Sequence, residues 1–211
     1  KPYLNSTAAI EYHGKSKSAV KADVLIQRIL NRAAIAGDCE TIKFLQSSKA
    51  EQIQGLKLHE SLILSIENGH EGSSVALIEW IGNGLTVQMD QESKDTFLHL
   101  AALKGQAQTC AALLKNNPDF DIDMKNRNKS TALHCAVASG NLDTVRILLE
   151  SGAYIKIKNN HKNTPISLAK LHNQPQILSL LENFDSIDNI AKAPISDPLA
   201  PPSSNRISRI E

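Results

Sequence analysis

The stretch Thr131–Ala153, TALHCAVASGNLDTVRILLESGA, decides the reading of this chain, because it spells one helix–turn–helix unit with both helix ends marked. Thr131 stands where a side-chain oxygen can cap a helix, and Leu133, Ala136 and Val137 follow on one helical face at i, i+3 and i+4. Gly140 supplies the left-handed residue that ends that helix. A second helix follows, with Leu142, Val145, Leu148 and Leu149 at helical spacing, and Gly152 stops it in the same way. Helices this short are marginal in isolation. A pair of them buries only part of its apolar surface, so the unit requires similar neighbours on either side.

Working outward, the first-helix aliphatic of this unit recurs as Leu30, Leu62, Leu98, Leu133 and Ile166, with spacings 62−30=32, 98−62=36, 133−98=35 and 166−133=33. The helix-stopping glycine recurs as Gly37, Gly69, Gly105 and Gly140. Asn173 takes its place in the last copy, and Asn is the next most tolerant residue of a left-handed backbone. Three segments carry a fuller signature: TFLHLAALKG at Thr96–Gly105, TALHCAVASG at Thr131–Gly140 and TPISLAKLHN at Thr164–Asn173. They resemble the TPLH-x-AA-x-x-G signature of ankyrin repeats, whose period near 33 the spacings match. LNRAAIAG (Leu30–Gly37) and LILSIENG (Leu62–Gly69) are degenerate versions, and the likeness spans Val24 to Glu182. In the second copy, EGSSVALIEWIGNG fits the second-helix pattern only with an insertion near Glu71–Ser74.

The resemblance implies an all-α solenoid of about five helix–turn–helix repeats with short projecting β-turn loops. The expected boundaries are a leader or N-terminal cap at 1–21, the repeat domain at 22–182, a capping helix at 183–193 and a disordered tail at 194–211. The first helix is expected from about Ala22 to Ala36, with Val24, Ile29, Leu30, Ala33 and Ala34 on its buried side. Tyr3, Leu4, Ile10 and Tyr12 of the leader are candidates to fold onto the first repeat, and Phe184, Ile187 and Ile190 to cover the last. The tail, PISDPLAPPSSNRISRIE, is proline-rich and has no apolar period.

Composition narrows the function. At 211 residues, 41% hydrophobic and 21% charged, the chain has apolar content for one core rather than two. Aromatic residues are only 4%, so the core must be built of Leu, Ile, Val and Ala, which suits thin helical layers. A net charge of +1 speaks against bulk attraction to nucleic acid or an anionic membrane. No apolar run is long enough to span a bilayer, and the opening residues lack the apolar stretch of a signal peptide. Cys39, Cys110 and Cys135 have no metal-binding spacing and read as free thiols of a reducing compartment.

Residues that could carry chemistry have simpler roles. His99 and His134 occupy the His of the signature, where the resemblance implies a structural imidazole that hydrogen-bonds the backbone of adjoining turns. Cys135 follows His134 directly, so the two side chains diverge by about 100° on a helix, a poor nucleophile–base arrangement. Phosphate-binding glycine loops are absent, and Asp119, Asp121 and Asp123 lack the Gly and Glu of a calcium loop. No cofactor or metal is expected, and the chain is not expected to be an enzyme. Trp80, the sole tryptophan, is either a packed helix residue or an exposed partner anchor.

Charge is distributed unevenly. Lys125–Leu142 holds three basic residues and no acid, and Ser151–Leu181 holds Lys156, Lys158, Lys162 and Lys170 with no acid. Such runs make either a solvated face or a basic groove for an acidic partner. In the inter-repeat loops, the family's usual glycine two residues before the Thr is replaced by Lys94, Lys129 and Lys162. Either these turns adopt another geometry or they accept backbone strain on the order of 1 kcal/mol each.

The function expected is therefore a protein-interaction module binding a protein partner, with an acidic surface, through its concave groove and loop tips. The contact residues implied by resemblance are the tips Lys94, Arg127, Asn128, Lys129, His161 and Lys162. On the first-helix side they are Leu103, Lys104, Ala138, Ser139, Leu171 and His172. The protein is expected to be a cytoplasmic monomer that binds neither nucleic acid nor membrane. An alternative is the targeting fragment of a larger enzyme, or of a secreted bacterial effector acting in a host cytosol, with catalysis outside this chain.

Overall fold

The computed structural model describes residues 17–48, 56–82, 85 and 92–191. The expected leader contacts from Tyr3 to Tyr12 and the expected tail at 194–211 lie outside the described residues. Within them the regular elements are ten helices: α1 Lys17–Ala36, α2 Cys39–Ser47, α3 Leu58–Glu67, α4 Glu71–Ile81, α5 Phe97–Leu103, α6 Ala107–Asn116, α7 Ala132–Ser139, α8 Leu142–Glu150, α9 Pro165–Leu171 and α10 Pro175–Ala191. They form five antiparallel pairs. The first helices α1, α3, α5, α7 and α9 stack in one layer, and the second helices α2, α4, α6, α8 and α10 in another.

One register repeats through the core. In the first layer Leu30, Leu62, Leu98 and Leu133 are buried, and Ala33, Ala101, Ala136 and Ala169 are buried three residues further on. Alanine at that position lets neighbouring helices approach closely. In the second layer Leu45, Leu77, Leu113, Leu148 and Leu181 occupy one buried position in all five repeats. Each fully buried leucine contributes roughly 1.5–3 kcal/mol.

The turns follow the sequence closely. Gly37, Gly69, Gly105 and Gly140 all have positive φ, and Asn173 joins them at +53°. Gly140 closes α7 in the left-handed conformation. Lys94, Lys129 and Lys162 lie at φ +56°, +53° and +61°. The loops have therefore kept the glycine geometry and accepted the strain, which resolves the choice the sequence left open.

Three expectations are corrected. Repeat two contains no insertion at Glu71–Ser74: α4 begins two residues after Gly69, just as α6 and α8 begin two residues after Gly105 and Gly140. The pattern is obscured because Ser73 and Ser74 are buried where later repeats place Thr109–Cys110 and Thr144–Val145. Ser74 satisfies its hydroxyl on Ser65 Oγ (2.9 Å) and on the His70 carbonyl (3.0 Å), whereas Ser73 Oγ has no partner.

The second correction concerns α1, which starts at Lys17 rather than Ala22 and leaves Val24 and Ile29 45% and 40% exposed. In the next repeats the position of Ile29 is held by Ser61, Phe97 and Ala132, all at most 4% exposed. Those residues are covered by the preceding repeat, and among the described residues no unit precedes α1. Phe44 on α2 is 68% exposed for the same reason; its counterpart Ala76 is 2% exposed. Third, α10 does not stop at Glu182 before a separate cap: it runs unbroken to Ala191, with Phe184 packed against the core. Trp80 is half-buried against the core near the end of α4, as a packed helix residue.

Candidate protein-binding surface

The projecting loops are built by asparagine. Asn126 Oδ1 accepts the amides of Asn128 and Ser130, both at 3.0 Å, and the Asn126 amide bonds the Ser130 carbonyl. One repeat on, Asn159 Oδ1 accepts the amides of His161 (3.0 Å) and Asn163 (3.1 Å), and the Asn159 amide bonds the Asn163 carbonyl. This side-chain mimicry of a turn is an Asx property. Each loop is then tied to the one before it: Arg127 N–H donates to the Ser93 carbonyl (2.8 Å) and Asn160 N–H to the Asn128 carbonyl (2.9 Å). Asn126 Nδ2 also donates to Asp95 Oδ1 at 2.8 Å. The loop tips thus form one connected row.

Below the tips, the signature histidines join helix to loop. His99 Nε2 donates to the Ser130 carbonyl at 3.0 Å, and its Nδ1 accepts the Thr96 amide at 3.3 Å. His134 repeats this with the Asn163 carbonyl (3.1 Å) and the Thr131 amide (3.2 Å). A carbonyl can only accept, so both rings are neutral and carry their proton on Nε2. Burial holds both imidazoles below the usual histidine range, opposed by the carbonyl bonds. In the last repeat Ser167 Oγ replaces the ring and accepts the Thr164 amide at 2.8 Å.

A second set of links escaped the sequence reading. In three repeats the residue after the left-handed helix stop reaches back to the preceding repeat: His70 Nε2 donates to the Ile35 carbonyl (2.9 Å), Gln106 Nε2 to Ile66 (2.8 Å) and, after Asn173, Gln174 Nε2 to Val137 (2.9 Å). These carbonyls belong to the last turn of the first helices, and those of Ile66 and Val137 also accept the amides of Gly69 and Gly140, both at 3.1 Å, so the side chain adds a second donor there. A Cβ on Gly37 would meet the His70 ring at 2.6 Å, and one on Gly105 would meet Asn141 Cβ at 3.0 Å. The glycines therefore serve both backbone conformation and clearance. The recurrence of a polar residue at this position was visible in the sequence, but not its direction.

The contact residues inferred from sequence are accessible. Lys94, Arg127, Asn128, Lys129, His161 and Lys162 are exposed at the tips. On the first helices Leu103, Lys104, Ala138, Leu171 and His172 are exposed, and Ser139 is half-buried with its hydroxyl on the Ala136 carbonyl (2.7 Å). Ile35, 47% exposed at the position equivalent to Leu103, was missed because the first repeat is degenerate.

The basic run at 151–181 is less continuous than the sequence suggests. Helix α10 brings Asp185 to Lys156 (2.9 Å) and Glu182 to Lys170 (3.3 Å), so two of its four lysines are paired. Among the described residues Lys125, Arg127, Lys129, Lys158 and Lys162 have no carboxylate at ion-pair distance. Burial pushes the Cys110 thiol up, and that of Cys135 to about 12, so neither is a ready nucleophile. No cluster suited to a metal ion occurs among the described residues, and no described helix is long and apolar enough to cross a membrane.

No curated protein matches the chain. The family described as ankyrin repeats (3 copies) matches it twice, over residues 30–159 and 98–192, together well over half its length. With five stacked helix pairs, left-handed stops one repeat apart and signature histidines bonded to the next loop, the chain belongs to the ankyrin-repeat family.

Proposed function

We propose that this chain is a non-catalytic protein-interaction module that takes an acidic protein surface along its loop tips and the free side of its first helices. Ankyrin repeats are generally protein–protein interaction modules. The observation that carries the finer reading is the row of cations at the tips of repeats four and five, Lys125, Arg127, Lys129, Lys158 and Lys162, which have no carboxylate partner among the described residues. Lys129 and Lys162 are held there at positive φ, a conformation that disfavours any side chain. Strain retained at equivalent positions is the kind of outlier that points to a functional demand on the side chain.

Affinity capture from cell lysate at low and high salt, with the native chain and with the double variant Lys129→Glu/Lys162→Glu, tests the proposal. A partner retained at low salt should be lost from the variant, because exposed charges act over about 8–10 Å at physiological ionic strength. Kinetics with that partner should show the charge reversal slowing association more than it speeds dissociation. Equal retention of the same partners by both proteins would return the lysines to ordinary solvated loops.

A further inference from the structure

Five residues beyond the core aliphatic of each first helix lie Ile35, Glu67, Leu103, Ala138 and Leu171, and all five are exposed. Three are large aliphatics at 47%, 52% and 70% exposure. Over repeats three to five the row reads large, small, large: Leu103 and Leu171 flank Ala138 on neighbouring helices α5, α7 and α9. Packed helices lie about 8–10 Å apart, so this leaves a notch above Ala138 roughly one repeat wide. The same repeats carry Lys129 and Lys162, whereas the cations near α10 are already neutralised by Glu182 and Asp185.

Resting on the interaction-module reading above, we propose that the occupant of this row is an amphipathic α-helix with an acidic flank, seating a bulky aliphatic side chain over Ala138 between Leu103 and Leu171. Charge selects the flank: acidic groups facing the tips meet cations that have no carboxylate partner among the described residues. Pitch selects the helix. Seven residues of α-helix rise about 10.5 Å, close to the spacing of successive repeats, so residues seven apart meet successive positions of the row. An added strand is disfavoured, because Arg127 and Asn160 already spend their amides on the preceding loops. The apolar row supplies the buried anchor, and the lysines steer and orient it.

The test uses a stapled helical peptide of about 20 residues with leucine at every seventh position and glutamate on one flank, against a proline-interrupted peptide of the same composition. Fluorescence anisotropy at low salt should show the helical peptide binding, with Ala138→Arg and Leu171→Ser each weakening it about tenfold or more. Ala138 and Leu171 are exposed, so both variants should keep the native circular dichroism spectrum. Lys129→Glu/Lys162→Glu should weaken binding and flatten its salt dependence. Equal binding of the interrupted peptide, indifference to Ala138→Arg, or no binding of the helical peptide would overturn the helix assignment. If a captured partner still depends on Lys129 and Lys162 in that case, the module reading stands without it. If neither peptide nor captured partner responds to those lysines, both fall.

Discussion

Lys129 holds φ +53° where a left-handed L-residue costs roughly 1–2 kcal/mol. Glycine removes that strain but adds about 0.5–1 kcal/mol of unfolded-chain entropy. Lys129→Gly should therefore leave stability unchanged or raise it by up to about 1 kcal/mol in urea unfolding, while Lys129→Val should lower it. A large loss with glycine would mean that the lysine side chain holds the loop. His99 and His134 make the second residue-scale prediction. Their folded pKa values lie below the unfolded value of about 6.5, so below that pH the unfolded chain binds more protons. The unfolding free energy should be flat above about pH 6.5 on their account and fall progressively on acidification towards the lower folded values. Replacing both by Gln should blunt that slope; an unchanged slope would assign it to other groups. The structural role of these rings was legible from the signature. Which nitrogen carries the proton was not, because that depends on carbonyls about 30 residues away, Ser130 and Asn163.

Among elements, the second helices separate what a sequence reveals from what it hides. Leu148 was readable as a core residue from periodicity alone and is fully buried. Leu148→Ala should cost about 2–5 kcal/mol by calorimetry or urea unfolding; a loss under about 1 kcal/mol would mean that the site collapses around the smaller residue. Helix α4 was harder to read, because Ser73 and Ser74 stand at core positions and break the apolar period. Polar residues inside a core become legible only when their partners are known. The helix stops behave likewise. All four glycines are recognisable in sequence, but their surroundings differ: Gly69 has open space where Gly105 faces Asn141. Gly105→Ala should therefore destabilise more than Gly69→Ala, which meets only the left-handed backbone term of roughly 1 kcal/mol. Equal losses would show that Asn141 moves aside freely.

For the whole molecule, the five-repeat register was fixed by leucines and glycines about 33 residues apart, and the candidate surface by exposure of the residues between them. Pairing of Lys156 with Asp185 was beyond the sequence, since it required α10 to run on past Glu182, and pairing of Lys170 with Glu182 required α9 and α10 to be set side by side. The back-reaching side chains give the array a direction as well as an order. His70, Gln106 and Gln174 each complete the end of a helix made earlier in the chain, so repeats one, two and four lean on their C-terminal neighbours for these bonds. A ribosome delivers the chain in that same direction. Each of those repeats therefore waits for 35 to 40 further residues, about 2–8 s at ordinary translation speeds, before the end of its first helix gains this side-chain bond.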